Sequence, residues 1–199
     1  MFFLITGGAR SGKSTLAVNI GRSHLGKVIF IATAPNLDDD MSERIRRHQL
    51  ERPDWETIEE ECEILSHLKR GKSGDLLIVD CITLWISNLL FHGKTEKEII
   101  EAAIEISQVA RTSPCAFVMV TNEVGMGIHP ETDLGREYRD LLGKVNQILN
   151  NVDCTQAEFD KLSLIYGSCV GASGAIYGLL VAFAFMFPMA ELMMMFIPV

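Results

Sequence analysis

Positive charge is in short supply in this sequence: 18 Lys and Arg stand against 26 Asp and Glu, a formal net charge of −8. With no basic stripe to displace counterions from a phosphate backbone, sequence-independent nucleic-acid binding is not expected. A nucleotide is not excluded, because its site needs only local positive groups. The five cysteines, Cys62, Cys81, Cys115, Cys154 and Cys169, show neither metal-ligand spacing nor the pattern of a small disulfide scaffold. Reduced thiols in a cytoplasmic compartment are therefore expected. No basic segment precedes the first apolar residues, so no secretory signal is expected. Charge itself is missing over residues 162–190, the sharpest compositional break in the chain. At 199 residues there is room for one sizeable α/β domain and a small appendage, and the break divides the chain into 1–153 and 154–199.

What is present begins at the N-terminus. A short apolar strand over 2–6 runs into Gly7, Gly8, Ala9, Arg10, Ser11, Gly12, Lys13 and Ser14, and a helix follows at once. This is the strand, loop and helix setting of a phosphate-binding loop, the Walker A motif. Its glycines let backbone N–H groups turn toward a polyphosphate, and the helix N-terminus adds positive potential. Lys13 would reach the outer phosphates and the Ser14 hydroxyl would ligate Mg²⁺. The competing reading is a Gly/Ser-rich turn before an ordinary helix.

Apolar runs at 27–32, 75–80 and 114–121 read as buried parallel strands, with a shorter strand at 55–59. Helices are expected over 41–51, 61–69, 81–90, 96–111 and 134–151, so strands and helices alternate. The expected architecture is a P-loop NTPase-like α/β fold, a mostly parallel sheet flanked by helices. Asp80 ends the 75–80 strand, where a phosphate-loop protein needs a carboxylate for Mg²⁺. Asn122 and Glu123 open a polar loop after the 114–121 strand and are candidate substrate contacts; a role as turn formers is the alternative. His48 lies among Arg44, Arg46 and Arg47 on the charged 41–51 helix. A neutral imidazole is a good nucleophile toward phosphorus, and nearby guanidinium groups favour the neutral ring and offset phosphate charge. The bland alternative is a solvated helix face.

Taken together these stretches resemble the bifunctional adenosylcobinamide kinase and adenosylcobinamide-phosphate guanylyltransferase family. The matching segments are Thr6 to Ser14, Ile31-Ala-Thr33, Arg44-Ile-Arg-Arg-His48 with Arg52-Pro53, and Val79-Asp-Cys-Ile-Thr83 with Ser87-Asn-Leu-Leu90. Thr121-Asn-Glu-Val-Gly-Met-Gly-Ile128, Gly135-Arg-Glu-Tyr-Arg-Asp140 and Val145-Asn-Gln147 complete the set. The resemblance implies phosphorylation of the adenosylcobinamide hydroxyl by a nucleoside triphosphate, ATP or GTP, with Mg²⁺. It then implies guanylyl transfer from GTP through a GMP-histidine, with a homo-oligomer as the assembly. Carried over by position, His48 is the guanylylated residue. Gly7 to Ser14, Ala32, Thr33, Ala34, Glu59 and Asp80 fall where the family contacts nucleotide or metal. Two departures stand out: Asp38-Asp-Asp-Met41 replaces an Asp-x-Glu-Met pattern, and nothing after residue 152 resembles the family's closing strand.

The tail reads differently. Its charge-free run meets the length criterion for a transmembrane helix, which implies membrane contact. Gly171-Ala-Ser-Gly-Ala175 is similar to the serine motif of rhomboid intramembrane proteases, with Ser173 at the nucleophile position; close packing of small residues is the alternative. No histidine follows His129 in this sequence, so intramembrane proteolysis is not expected.

Overall fold

The structure is a computed structural model describing residues 1–35, 46, 49, 52–124 and 130–150, with the backbone of 193–194 and 197–198. The chain divides into two compact units, Met1–Lys161 and Leu162–Val199.

The first unit is built on a five-stranded sheet. Its strands are β1 (Phe2–Ile5), β2 (Val28–Ala32), β3 (Glu56–Glu59), β4 (Leu76–Asp80) and β5 (Ala116–Val120). They lie in the order β1-β5-β4-β2-β3, and every neighbouring pair is parallel. The central strands β4 and β5 consist of bulky side chains facing both ways, as a sheet covered on both sides requires. Leu77, Val79, Phe117 and Met119 point to one face; Leu76, Ile78, Val118 and Val120 point to the other.

Parallel strands need crossovers, and five helices are described. These are α1 (Lys13–Arg22), α2 (Ile64–Leu68), α3 (Ile82–Phe91), α4 (Glu96–Thr112) and α5 (Asp133–Asn150). Helices α2 to α5 cover the first face through residues such as Ile64, Trp85, Ile106 and Val145, all at 0 or 1% exposure. On the second face Ala17 of α1 packs into the cluster, joined by the partly buried Trp55. The turn of α1 at Gly21 lies so close to Trp55 that a Cβ there would stand 2.4 Å from the indole. Helix α4 starts with a complete capping box, in which Thr95 accepts from the Glu98 N–H and Glu98 accepts from that of Thr95.

Three expectations change. Helix α1 runs from Lys13 to Arg22, where the sequence reading has it from Ser14 to about His24. Helix α2 is shorter than the expected 61–69 because the Glu60 carboxylate accepts the N–H groups of Cys62 and Glu63, which holds those residues in a turn. Cys81 caps α3 instead of belonging to it. The charged helix expected over 41–51 lies outside the described residues except for Arg46 and Gln49, both helical and exposed.

Of the second unit, residues 193–194 and 197–198 form a short antiparallel pair, β6 (Met193–Met194) and β7 (Ile197–Pro198). The charge-free stretch 162–190, where a transmembrane helix is expected, lies outside the described residues. Among the described residues no helix is long and apolar enough to cross a membrane.

Candidate active site

In a parallel sheet the strands all end at one edge, and loops there meet where the strand order reverses. Across this sheet the edge presents the Gly7 to Ser14 loop after β1, Asn122 after β5, Asp80 ending β4, Ala32 ending β2 and Glu59 ending β3. Four strand spacings separate the first from the last, roughly 19 Å. Expected site residues scattered over the sequence thus form one row.

The loop at β1 has the backbone of an anion cradle. Arg10 and Gly12 adopt positive φ values of 58° and 84°, the left-handed geometry from which anion-binding turns are built. Gly12 caps α1 in the left-handed region that favours glycine. A Cβ at Gly7 would stand 2.9 Å from the Ser11 hydroxyl oxygen, so the loop closes on itself there. Gly8, Ala9, Arg10, Ser11 and Gly12 are exposed, while Lys13 and Ser14 are half-buried at the start of α1. The Glu123 N–H donates to the Gly7 carbonyl at 3.0 Å, fastening the loop to the end of β5.

The Lys13 ammonium donates to the Gly8 carbonyl, to Ser11 Oγ at 3.3 Å and to Asn122 Oδ1 at 3.1 Å. Partial burial lowers its pKa, against which Cys81 and Asp80 act to raise it. The ammonium and the Asp80 carboxylate therefore feel one another. Arg52 feels the same carboxylate: burial lowers its pKa, while Asp80 and Glu59 raise it. Its guanidinium lies 4.0 Å over the Phe30 ring of β2, a cation–π contact that sets its place on the edge. Burial beside Asp80 pushes the Cys81 thiol up to about 11, so it is a neutral neighbour and no nucleophile at neutral pH.

Thr33, expected at the nucleotide, has every polar atom committed elsewhere. It is fully buried, and its N–H donates to the Asp80 carbonyl at 3.1 Å. Its hydroxyl donates to the Cys81 carbonyl and accepts the Cys81 N–H, both at 2.7 Å. Its own carbonyl accepts from Asn88 Nδ2 at 2.8 Å. Thr33 thus clasps the residues next to Asp80, and Ala32 and Ala34 remain the half-exposed members of that segment.

Helices α3 and α5 brace the same edge. Thr83 Oγ1 accepts the Asn122 N–H at 2.8 Å, Tyr138 OH donates to the Thr83 carbonyl at 3.0 Å, and Asn146 Nδ2 donates to the Asn122 carbonyl at 3.2 Å. Arg52, Asn88, Thr83 and Asn146 received no individual role from the sequence. An amide such as Asn88 on a helix face otherwise made of Ile82, Trp85, Ile86 and Leu89 was the available signal, because a buried amide must find partners.

The donor set can accept a small hard cation. Among the described residues no three His, Cys, Asp or Glu side chains cluster as a metal site. Mg²⁺ suits this edge because it is bound by one or two protein oxygens while phosphates and water complete its shell. Ser14, in the first turn of α1, and Asp80, whose carboxylate acts on Lys13, are the residues the sequence reading assigns to Mg²⁺. His48 lies outside the described residues.

The family model for cobinamide kinase / cobinamide phosphate guanyltransferase matches residues 3–159, a span that ends before the charge-free stretch, and no comparison supports the rhomboid likeness expected there. The bifunctional adenosylcobalamin biosynthesis protein CobU of Escherichia coli is 41% identical over 165 residues, covering 75% of this chain and 90% of that protein. The protein of the same name from Salmonella typhimurium is 40% identical over 168 residues, with the same two coverages. CobP of Pseudomonas aeruginosa, also described as a bifunctional adenosylcobalamin biosynthesis protein, is 36% identical over 148 residues, covering 73% of this chain and 85% of that protein. With a parallel sheet, a phosphate cradle and this likeness over most of its length, the chain belongs to the cobinamide kinase / cobinamide phosphate guanyltransferase family.

Proposed function

We propose that this chain performs two successive transfers on a corrinoid. In the first, the terminal phosphoryl group of ATP or GTP passes to the hydroxyl of adenosylcobinamide, releasing the nucleoside diphosphate. In the second, His48 attacks the α-phosphorus of GTP, pyrophosphate leaves, and the substrate phosphate takes GMP from the histidine to give adenosylcobinamide-GDP. The observation that carries this reading is the row formed by the phosphate loop, Lys13, Asn122, Asp80 and Glu59 along one sheet edge in a member of this family.

Phosphoryl transfer asks little covalent work of a protein; it needs positioning and charge stabilisation. The loop amides and the N-terminus of α1 hold the phosphates, and Lys13 exchanges its contacts with Gly8 and Ser11 for phosphate oxygens. Ser14 and Asp80 would hold Mg²⁺, which when bound neutralises charge on the phosphates. Arg52 sits where it supports Asp80 and Glu59. His48 divides guanylyl transfer into two displacements, and Arg44, Arg46 and Arg47 favour its neutral, nucleophilic form.

Product analysis with adenosylcobinamide separates the steps. With ATP and GTP present, the wild-type chain should give adenosylcobinamide-GDP. His48→Ala should stop at the phosphate, and Lys13→Ala should give little of either. A His48→Ala chain that still forms adenosylcobinamide-GDP would defeat the histidine route. The charge-free stretch 162–190 supports a second reading, a membrane-associated chain that binds GTP without turnover. Detergent-dependent, inactive protein on fractionation would favour that reading. A homo-oligomer accompanies the first reading, and sedimentation of the full chain tests it.

A further inference from the structure

Asn122 is held more firmly than a loop residue requires. Its N–H donates to Thr83 Oγ1 and its carbonyl accepts from Asn146 Nδ2. Asn146 is fixed in turn, since its Oδ1 accepts the hydroxyl of the fully buried Thr121 at 2.7 Å. Residues of α3 and α5, with Thr121 at the end of β5, therefore converge to fix the main chain that carries the Asn122 side-chain amide.

That amide has a determined orientation. Its oxygen accepts from the Lys13 ammonium, and the opposite orientation would set donor against donor. The Nδ2 group must then point away from the ammonium, and its two hydrogens have no partner among the described residues. Lys13 is a phosphate ligand in the proposed function, so Asn122 offers an acceptor to the lysine and a free donor beside it. When a triphosphate displaces the Gly8 and Ser11 contacts, the Asn122 contact can persist and keep the ammonium in register.

We propose that Asn122 is a specificity-determining residue for the nucleoside triphosphate. Its Oδ1 positions Lys13, and its Nδ2 donates to an oxygen of the terminal phosphate. The inference rests on the nucleotide reading of the phosphate loop and adds how that site distinguishes a triphosphate from a diphosphate. A diphosphate leaves the Nδ2 donor unused; a triphosphate satisfies it.

Equilibrium binding of GTP and GDP to the full chain, in the presence of Mg²⁺, tests this with Asn122→Asp and Asn122→Ala. The Asp variant keeps an acceptor for Lys13 but replaces the donor with negative charge. GTP affinity should fall about tenfold or more relative to GDP affinity, the worth of a hydrogen bond to a charged group. The Ala variant should also lose triphosphate preference, and it keeps the test open if the Asp variant fails to fold. A residue serving only the fold would weaken both ligands together and leave the GTP-to-GDP ratio alone. An unchanged ratio in a variant whose wild-type parent binds GTP would overturn the inference by itself. A wild-type chain that binds neither nucleotide would remove the phosphate-loop reading and this inference with it.

Discussion

Replacing Thr33 with Val is the sharpest probe of how the edge of the sheet is held. Valine keeps the shape and removes the hydroxyl, so the change isolates the two 2.7 Å hydrogen bonds to the Cys81 main chain. The side chain is fully buried, and water cannot replace the lost partner without rearrangement. Each hydrogen bond contributes about 1 kcal/mol net, and an unsatisfied buried polar group costs about 1–3 kcal/mol. With one donor and one acceptor of Cys81 affected, the expected loss of unfolding free energy is about 2–4 kcal/mol. Thr33→Ser keeps the hydroxyl and removes a methyl group, which costs about 1 kcal/mol. Urea denaturation of the three proteins should therefore rank them wild type, Ser, Val in falling midpoint. The same series read by phosphoryl transfer should show Val losing more kcat than Ser, because the clasp neighbours Asp80. A Val variant as stable and as active as the Ser variant would refute the clasp.

Four further outcomes follow from particular contacts. Gly26→Ala should destabilise by about 1–3 kcal/mol in urea denaturation, since its Cβ would stand 1.9 Å from the Gly74 carbonyl oxygen. Gly143→Ala, in the exposed part of α5 with nothing within 4 Å, should stabilise by about 1 kcal/mol by the same measurement. Glu98, held by the capping box and Lys94, has its pKa lowered to about 2. Its folded value lies below its unfolded one, so its contribution is complete above about pH 4.5 and is lost as pH falls toward 2. Acid titration of Glu98→Gln should show a shallower loss of stability over that window, and an identical slope would count against the box. The lowered pKa of Lys13 means that GTP affinity should begin to fall below the pH at which an ordinary lysine deprotonates. Lys13→Arg should flatten that fall, whatever its overall affinity.

The sheet was legible because burial on both faces leaves a plain signature. The runs around β2, β4 and β5 are apolar in succession, and the strands appear within a residue or two of their expected ends. The place of Asp80 was legible because the apolar run stops on it, and β4 ends there. Less visible were features made by pairs far apart in sequence. Thr33 and Cys81 are separated by 48 positions and Lys13 and Asn122 by 109, and no local pattern announces either contact. Thr33 shows the difference most clearly: its place just after β2 could be read from the sequence, and its hydrogen bonds to Asp80 and Cys81 could not. The short α2 depends on the Glu60 side chain taking two N–H groups, a choice that helix periodicity does not encode.

Labelling with GTP carrying a radioactive α-phosphate tests the central claim most directly. Incubated with Mg²⁺ and without corrinoid, the wild-type chain should acquire label that is stable to base, lost in acid and released on adding the corrinoid phosphate. His48→Ala should acquire none, while GTP labelled only at the γ-position should leave the wild-type chain unlabelled. Label that persists in His48→Ala, or a wild-type chain that takes up no α-label, would contradict the account.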